Sequence, residues 1–185
     1  MAIKAYIGLG SNLGDPLEQL LKARRLLFSC QEVIDARSSS IYVSSPVGYV
    51  EQPDFANCVL ELTVSCSYRD LFEQMQLIEG DMGRKRDPDN RNAPRVIDID
   101  LLLFGSQLIT EPDLIVPHPR ISQRLFVLLP LAELALDLVD EMALEPLRGI
   151  DLASVFEKTN TTQGADCSKA LEAHFAGQSL IRLSL

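Results

Sequence analysis

The stretch Arg95-Val-Ile-Asp-Ile-Asp-Leu-Leu-Leu-Phe104, RVIDIDLLLF, is a strongly apolar run, yet it carries two aspartates a single residue apart. Its aliphatic residues alternate with the aspartates at period 2, which predicts a strand. In a strand, side chains at i and i+2 share a face, with backbones about 6.6 Å apart. Asp98 and Asp100 therefore point one way, while Ile97, Ile99, Leu101 and Leu103 face the core. Two carboxylates so placed repel each other and resist burial unless cations lie beside them. Hard divalent ions such as Mg²⁺ meet that need, because they take oxygen ligands and commonly hold substrate phosphates too. The bland alternative is a strand with one wet face and no chemistry.

What precedes the strand favours chemistry. Arg84, Lys85, Arg86, Arg91 and Arg95 fall within twelve positions, opposed only by Asp87 and Asp89, in a chain whose net charge is -9. The segment from Gly83 to Pro94 has almost no apolar side chains and holds two prolines, so burial cannot offset its ordering entropy. A mobile cationic loop that ends at Arg95 would deliver guanidiniums to the carboxylates. Arginine donates bidentate hydrogen bonds to phosphate and keeps its charge. Carboxylates, arginines and a flexible loop suit phosphoryl or pyrophosphoryl transfer, where catalysis is mostly positioning and charge neutralisation. The overall acidity argues against nucleic acid or an acidic membrane face as partner.

Working outward, Ala2 to Leu9 reads as a first strand and Gly10-Ser-Asn-Leu-Gly14 as the turn after it. GLGSNLG fits neither the dinucleotide fingerprint nor the P-loop, so it is read as a tight strand-to-helix turn. Asp15-Pro16 then opens a helix to about Cys30, as an N-cap followed by proline at the first helical position. Two strand-like runs follow, Val33 to Val43 and Phe55 to Val64, joined by SSPVGYVEQPD. Ser67-x-x-Asp70 is a capping box for a second helix with Leu71, Phe72, Met75, Ile78 and Met82 on its apolar face. Gln76 and Glu79 lie on another face of it. VPHPR holds His118 between two prolines, and Leu125 to Leu138 reads as a helix interrupted or restarted at Pro130.

With 185 residues, 46% of them hydrophobic, the chain can bury about 70% of its unfolded surface in one domain without a disulfide or metal staple. That domain is expected over residues 1–150. Residues 151–185, with the polar TNTTQGADCS and a short helix over 169–175, read as a peripheral extension of unknown role. Cys30, Cys58, Cys66 and Cys167 show no C-x-x-C spacing, and no basic-then-apolar leader or long apolar window occurs, so a cytoplasmic protein is expected. Two histidines, His118 and His174, are too few for a histidine-rich zinc site. Helices and strands without a regular β-α-β-α cadence favour an α+β sheet with helices on it.

Four blocks, YIGLGSNLGDP at 6–16, SSPVGYVEQPDFANCVLEL at 44–62, RNAPRVIDIDLLLFG at 91–105 and VPHPRISQRLFVLLPLAEL at 116–134, strongly resemble the 6-hydroxymethyl-7,8-dihydropterin pyrophosphokinase family of folate biosynthesis. The resemblance implies a ferredoxin-like α+β fold, with a mostly antiparallel sheet. It also implies transfer of pyrophosphate from ATP to the pterin hydroxymethyl group, releasing AMP. Asp98 and Asp100 would hold two Mg²⁺ ions, and Arg86 and Arg95 would be catalytic on the phosphates, with the segment between them closing as a lid. Arg84 competes with Arg86 for that role. Gln76, Glu79 and Leu101 would border the nucleotide, and His118 and Arg124 would help fix phosphates and ribose.

For the pterin, the resemblance implies backbone contacts from Ser44 and Val47, an amide from Asn57 on the pyrimidine edge, and Phe55 and Phe126 on the two ring faces. Asn92 stands where many members carry an aromatic residue that helps cover the substrates. Neighbouring folate-pathway enzymes are the macromolecular partners it suggests. Two other readings stay open on the residues alone: a metal-dependent transferase using a nucleotide sugar, for which D-x-D is also common, and a non-catalytic pterin- or nucleotide-binding relative.

Overall fold

Strand β1 (Ile3–Ser11) is the axis of a six-stranded sheet, pairing antiparallel with β4 (Phe55–Val64) on one side and β5 (Asp98–Phe104) on the other. The computed structural model describes residues 2–46, 51–84, 93–135 and 178–183. The sheet continues from β4 to β3 (Ile41–Ser44) and then to β8 (Leu180–Leu183), while β2 (Val33–Ser38) pairs with the other half of β4, all antiparallel. The run expected over Val33 to Val43 is thus two strands on one edge. The break is at Ser39, whose N–H donates to the Val59 carbonyl at 2.9 Å and whose Oγ accepts from the Val59 N–H at 3.0 Å. A small two-stranded ribbon, β6 (Ile109–Thr110) with β7 (Ile115–Val116), lies outside the main sheet.

Local sequence sets the first two helices. Helix α1 (Pro16–Phe28) starts where the Asp15 carboxylate accepts from the Glu18 N–H at 3.0 Å, with Pro16 at its first position. Gly14, at φ +69°, makes the turn before it. Helix α2 (Tyr68–Asp81) has the expected capping box between Ser67 and Asp70. Leu20, Ala23 and Leu27 of α1 and Leu71, Met75 and Ile78 of α2 bury against Ala5, Ile7, Leu9, Leu60, Leu62, Ile99 and Leu101 of the sheet. Each large aliphatic chain so buried contributes about 1.5 to 3 kcal/mol.

Helix α3 (Leu125–Leu134) covers the other face with Leu125, Leu128, Leu129 and Leu131, against Tyr6, Tyr42, Val59, Leu102 and Leu103. It runs through Pro130 without the expected interruption. Residues Val127 to Ala132 are all buried, so neighbouring layers hold the helix where one backbone hydrogen bond is missing. The architecture is α+β with a ferredoxin-like sheet order, β5-β1-β4 followed by the β2/β3 edge. The expected helix over 169–175, residues 136–138 of the third helix, Cys167 and His174 lie outside the described residues. Cys30, Cys58 and Cys66 are free thiols, and no helix among the described residues is long and apolar enough to cross a membrane.

One expectation for β5 changes. Ile97, Ile99 and Leu101 face the α1/α2 core as predicted, but Leu103 lies with Leu102 in the α3 core. The register explains it: Ile7 is opposite Leu101 and Tyr6 opposite Leu103, so Leu102 is an extra residue in a bulge. The period of two is reset there. Asp98 and Asp100 lie before the bulge and keep the shared face that the alternation predicts.

Candidate functional site

On the α3 side of the sheet β1 presents Tyr6, then Gly8 and Gly10; Gly8 is opposite Asp100 and Gly10 opposite Asp98. The missing side chains leave a cavity of about 350 Å³ floored by these glycines and walled by Ser44, Ser45, Phe55, Asn57, Arg124 and Phe126. A Cβ on Gly10 would stand 3.3 Å from Asn57 Oδ1, closer than the amide tolerates without moving. Gly10, expected in the turn after the first strand, lies within β1, which runs on to Ser11, and together with Gly8 it paves the cavity. A second cavity, about 320 Å³, is lined by Phe72, Glu79, Arg84, Leu101, Leu114 and His118. Asp98 and Asp100 line both.

The two aspartates differ in their surroundings. Asp98 accepts from Arg95 Nη1 at 2.6 Å, and Arg84 bridges it to Glu79. Burial opposes ionisation of Asp98, but the Arg84 and Arg95 guanidiniums outweigh it and hold the carboxyl below its ordinary value. For Asp100 burial and then the Asp98 charge push the pKa well up, and Arg124, 3.7 Å away, offsets only part of this. An added cation would relieve Asp100 more than Asp98.

Two of these arginines, Arg95 and Arg124, also stack on phenylalanines. Arg95 lies 5.6 Å from the Phe55 ring centroid and Arg124 5.7 Å from that of Phe126. The rings on the larger cavity are thereby tied to the carboxylates through one guanidinium each. His118 is held beside β5 by its N–H to the Leu102 carbonyl at 2.9 Å. Burial, then Arg124, push its pKa down to about 4, so it is neutral near pH 7. Its Nδ1 accepts from the Arg120 N–H at 3.2 Å, which leaves the proton on Nε2 as a donor.

The family is decided by comparison with known proteins. The model of the family described as 7,8-dihydro-6-hydroxymethylpterin-pyrophosphokinase (HPPK) matches residues 6–136. The chain belongs to that family. It is similar to the 2-amino-4-hydroxy-6-hydroxymethyldihydropteridine pyrophosphokinases of Bacillus subtilis (strain 168), 46% identical over 70% of this chain and 77% of the relative, and of Pseudomonas aeruginosa, 43% identical over 75% and 84%. It is also 38% identical to the folic acid synthesis protein fol1 of Pneumocystis carinii, across 83% of this chain but 20% of that protein. A crystal structure of an HPPK-DHPS in complex with substrates superposes with TM-score 0.52 at 14% identity, over 71% of this chain and 40% of that one, and supports the fold.

Of the residues singled out for an HPPK site, Ser44, Phe55, Asn57, Arg95, Arg124 and Phe126 meet at the larger cavity, and Glu79, Leu101 and His118 at the smaller. Asn57 is 4% exposed and donates Nδ2 to Ser44 Oγ at 3.0 Å and to the Phe55 carbonyl at 3.3 Å. Gln76 is exposed and lines neither cavity, because α2 turns the neighbouring Glu79 inward to accept from the Ile99 N–H at 2.7 Å. Leu101 contributes a buried side chain of the core to the cavity edge. Arg86, Val47 and Asn92 lie outside the described residues; Arg84, the competing choice, sits at the carboxylates.

Sequence reasoning missed Asn12. It is 2% exposed, accepts from the Arg95 N–H at 2.8 Å, and its own N–H donates to the Arg95 carbonyl at 3.1 Å. Its Nδ2 donates to Gln52 Oε1 at 2.9 Å and to the Pro53 carbonyl at 3.1 Å, joining three loops. An asparagine in Gly10-Ser-Asn-Leu-Gly14 reads locally as turn chemistry, and nothing nearby in sequence signals its partners 40 and 83 residues away.

Proposed function

We propose that this chain transfers the terminal pyrophosphoryl group of ATP to 6-hydroxymethyl-7,8-dihydropterin in folate biosynthesis. The observation that carries the reading is that one carboxylate pair lines two adjoining cavities, one floored by glycine and flanked by phenylalanines, the other polar. The larger takes the pterin between Phe55 and Phe126, with the Asn57 amide on its pyrimidine edge. The smaller takes the nucleotide, so that the hydroxymethyl oxygen and the β-phosphorus meet near Asp98 and Asp100. The oxygen bonds to that phosphorus, the bond to the α-phosphate oxygen breaks, AMP leaves, and the hydroxyl proton passes to solvent.

The donor set suits Mg²⁺, which uses one or two carboxylates and leaves its other positions to water and substrate phosphate. Among the described residues no cluster of three or more acidic, histidine or cysteine side chains forms a closed protein cage, and Asp100 lacks full compensation for its charge. Asp98 and Asp100 would hold the metal, two ions by family likeness, whose chemistry is to neutralise charge on the triphosphate. Arg84 and Arg95 occupy both oxygens of Asp98; on substrate binding they exchange the carboxylate for phosphate oxygens, which keeps the charge balanced. Neutral His118 donates its Nε2–H to a phosphate without adding a further cation beside Arg124.

The test is an assay for AMP from Mg-ATP with and without the pterin. Pterin-dependent AMP is expected. ADP as product, or AMP at the same rate without pterin, would overturn the proposal.

A further inference from the structure

The stretch at 178–183 lies beyond the residues matched to the family, yet it reaches two walls of the larger cavity. β8 sets Leu180 opposite Ser44 and Arg182 opposite Tyr42, and Leu180 is fully buried in the α3 core. Just before the strand, Gln178 faces the start of α3. Its Oε1 accepts from the Leu125 N–H at 3.0 Å and its Nε2 donates to the Gln123 carbonyl at 3.0 Å. The helix has no side-chain cap of its own at Arg124, so Gln178 provides one from 53 residues away. The first turn it secures carries Phe126.

Ser179 grips the facing strand. Its Oγ lies 2.9 Å from Ser45 Oγ, the Ser45 N–H donates to Ser179 Oγ at 3.3 Å, and the Ser179 N–H donates to Ser45 Oγ at 3.3 Å. Ser45 and Phe126 both line the cavity, and β8 follows directly from the two residues that hold them. We propose that Gln178 and Ser179 are positioning residues that set the distance between the Ser45 wall and the Phe126 wall. This rests on the reading of that cavity as the pterin site. The second cavity has neither wall, so the clamp acts on one substrate.

Gln178→Ala and Ser179→Ala in the full chain are expected to raise KM for the pterin about 5-fold each, with KM for ATP and kcat nearly unchanged. Gln178→Glu keeps an acceptor for the Leu125 N–H and should recover most of the loss. Arg182→Ala removes hydrogen bonds to Glu133 and Ser40 at the far end of β8; it should lower Tm while leaving the pterin KM in place. The clamp is overturned if Gln178→Ala moves both KM values together, leaves both unchanged, or is matched by Arg182→Ala. If wild type forms no pterin-dependent AMP, the functional reading fails on its own. Pterin fluorescence on binding then decides the clamp: weaker binding by Gln178→Ala upholds it, and equal binding or none by either protein overturns it.

Discussion

Glu61 and Asp100 are carboxylates on the same face of the same sheet, on the two strands that flank β1, beside neighbouring positions of one stripe of it. Glu61 is opposite Tyr6, and Asp100 is opposite Gly8. Around Glu61 the donors suffice: Tyr6 OH at 2.9 Å, Arg37 Nη2 at 2.8 Å and Lys4 Nζ at 3.2 Å. Burial alone would raise its pKa, but those donors outweigh burial and hold it low. Asp100 has glycine where Glu61 has a tyrosine, so open cavity replaces a donor, and burial and then the Asp98 charge raise its pKa without the donors that offset burial at Glu61. A satisfied carboxylate stabilises the fold; an unsatisfied one at a cavity is available to a ligand.

The sharpest break of this contrast is by activity. Asp98→Ala and Asp100→Ala should each lower kcat by about 10³-fold, the scale of losing a main charge-positioning group, while Glu61→Gln stays within a few-fold of wild type. Steady-state AMP formation checks all three. Filling the glycine stripe comes next: Gly10→Ala should raise KM for the pterin about 10-fold by displacing the Asn57 amide, with KM for ATP little changed.

Stability should reverse the order. Glu61→Gln should lose about 1 to 2 kcal/mol in denaturant unfolding, since Tyr6, Arg37 and Lys4 lose a charged acceptor. For the ligand-free protein, Asp100→Asn should raise Tm by removing a repelled charge. Asp98→Asn should lower it, because Arg84 and Arg95 lose their shared partner; equal signs would deny the asymmetry. The smallest effect is in pH. The folded pKa of Glu61 is depressed from 4.5, so its contribution is complete above that value and is lost as pH falls through the folded one. The stability gap between wild type and Glu61→Gln should therefore narrow below about pH 4.5 in acid unfolding.

The caps at Asp15 and Ser67, the strand at Asp98 and the shared face of its two aspartates were legible because each depends on neighbours within four residues. The family blocks pointed to Phe55, Asn57 and Phe126 as residues of one cavity, which is where they meet; Arg124, expected at the nucleotide, lines that same cavity instead. Glu79 and Gln76 look alike in sequence, three apart on one helix; only the packing of α2 on β5 buries one and exposes the other. The split of Val33 to Val43 turns on Ser39 pairing with Val59, and the role of Gln178 on an uncapped helix far from it.

By itself, then, the sequence determined the first two helices, their caps and the shared face of the carboxylate pair, since period and spacing are local properties of the chain, and its four blocks carried the resemblance to the family. The tertiary structure alone decided that Asp98 is held by two close arginines and Asp100 only by the more distant Arg124, that Gly8 and Gly10 floor a cavity, and that the bulge at Leu102 turns Leu103 to the other core. Charge compensation and empty space are set by which distant residues arrive at a point, and no local pattern encodes that arrival.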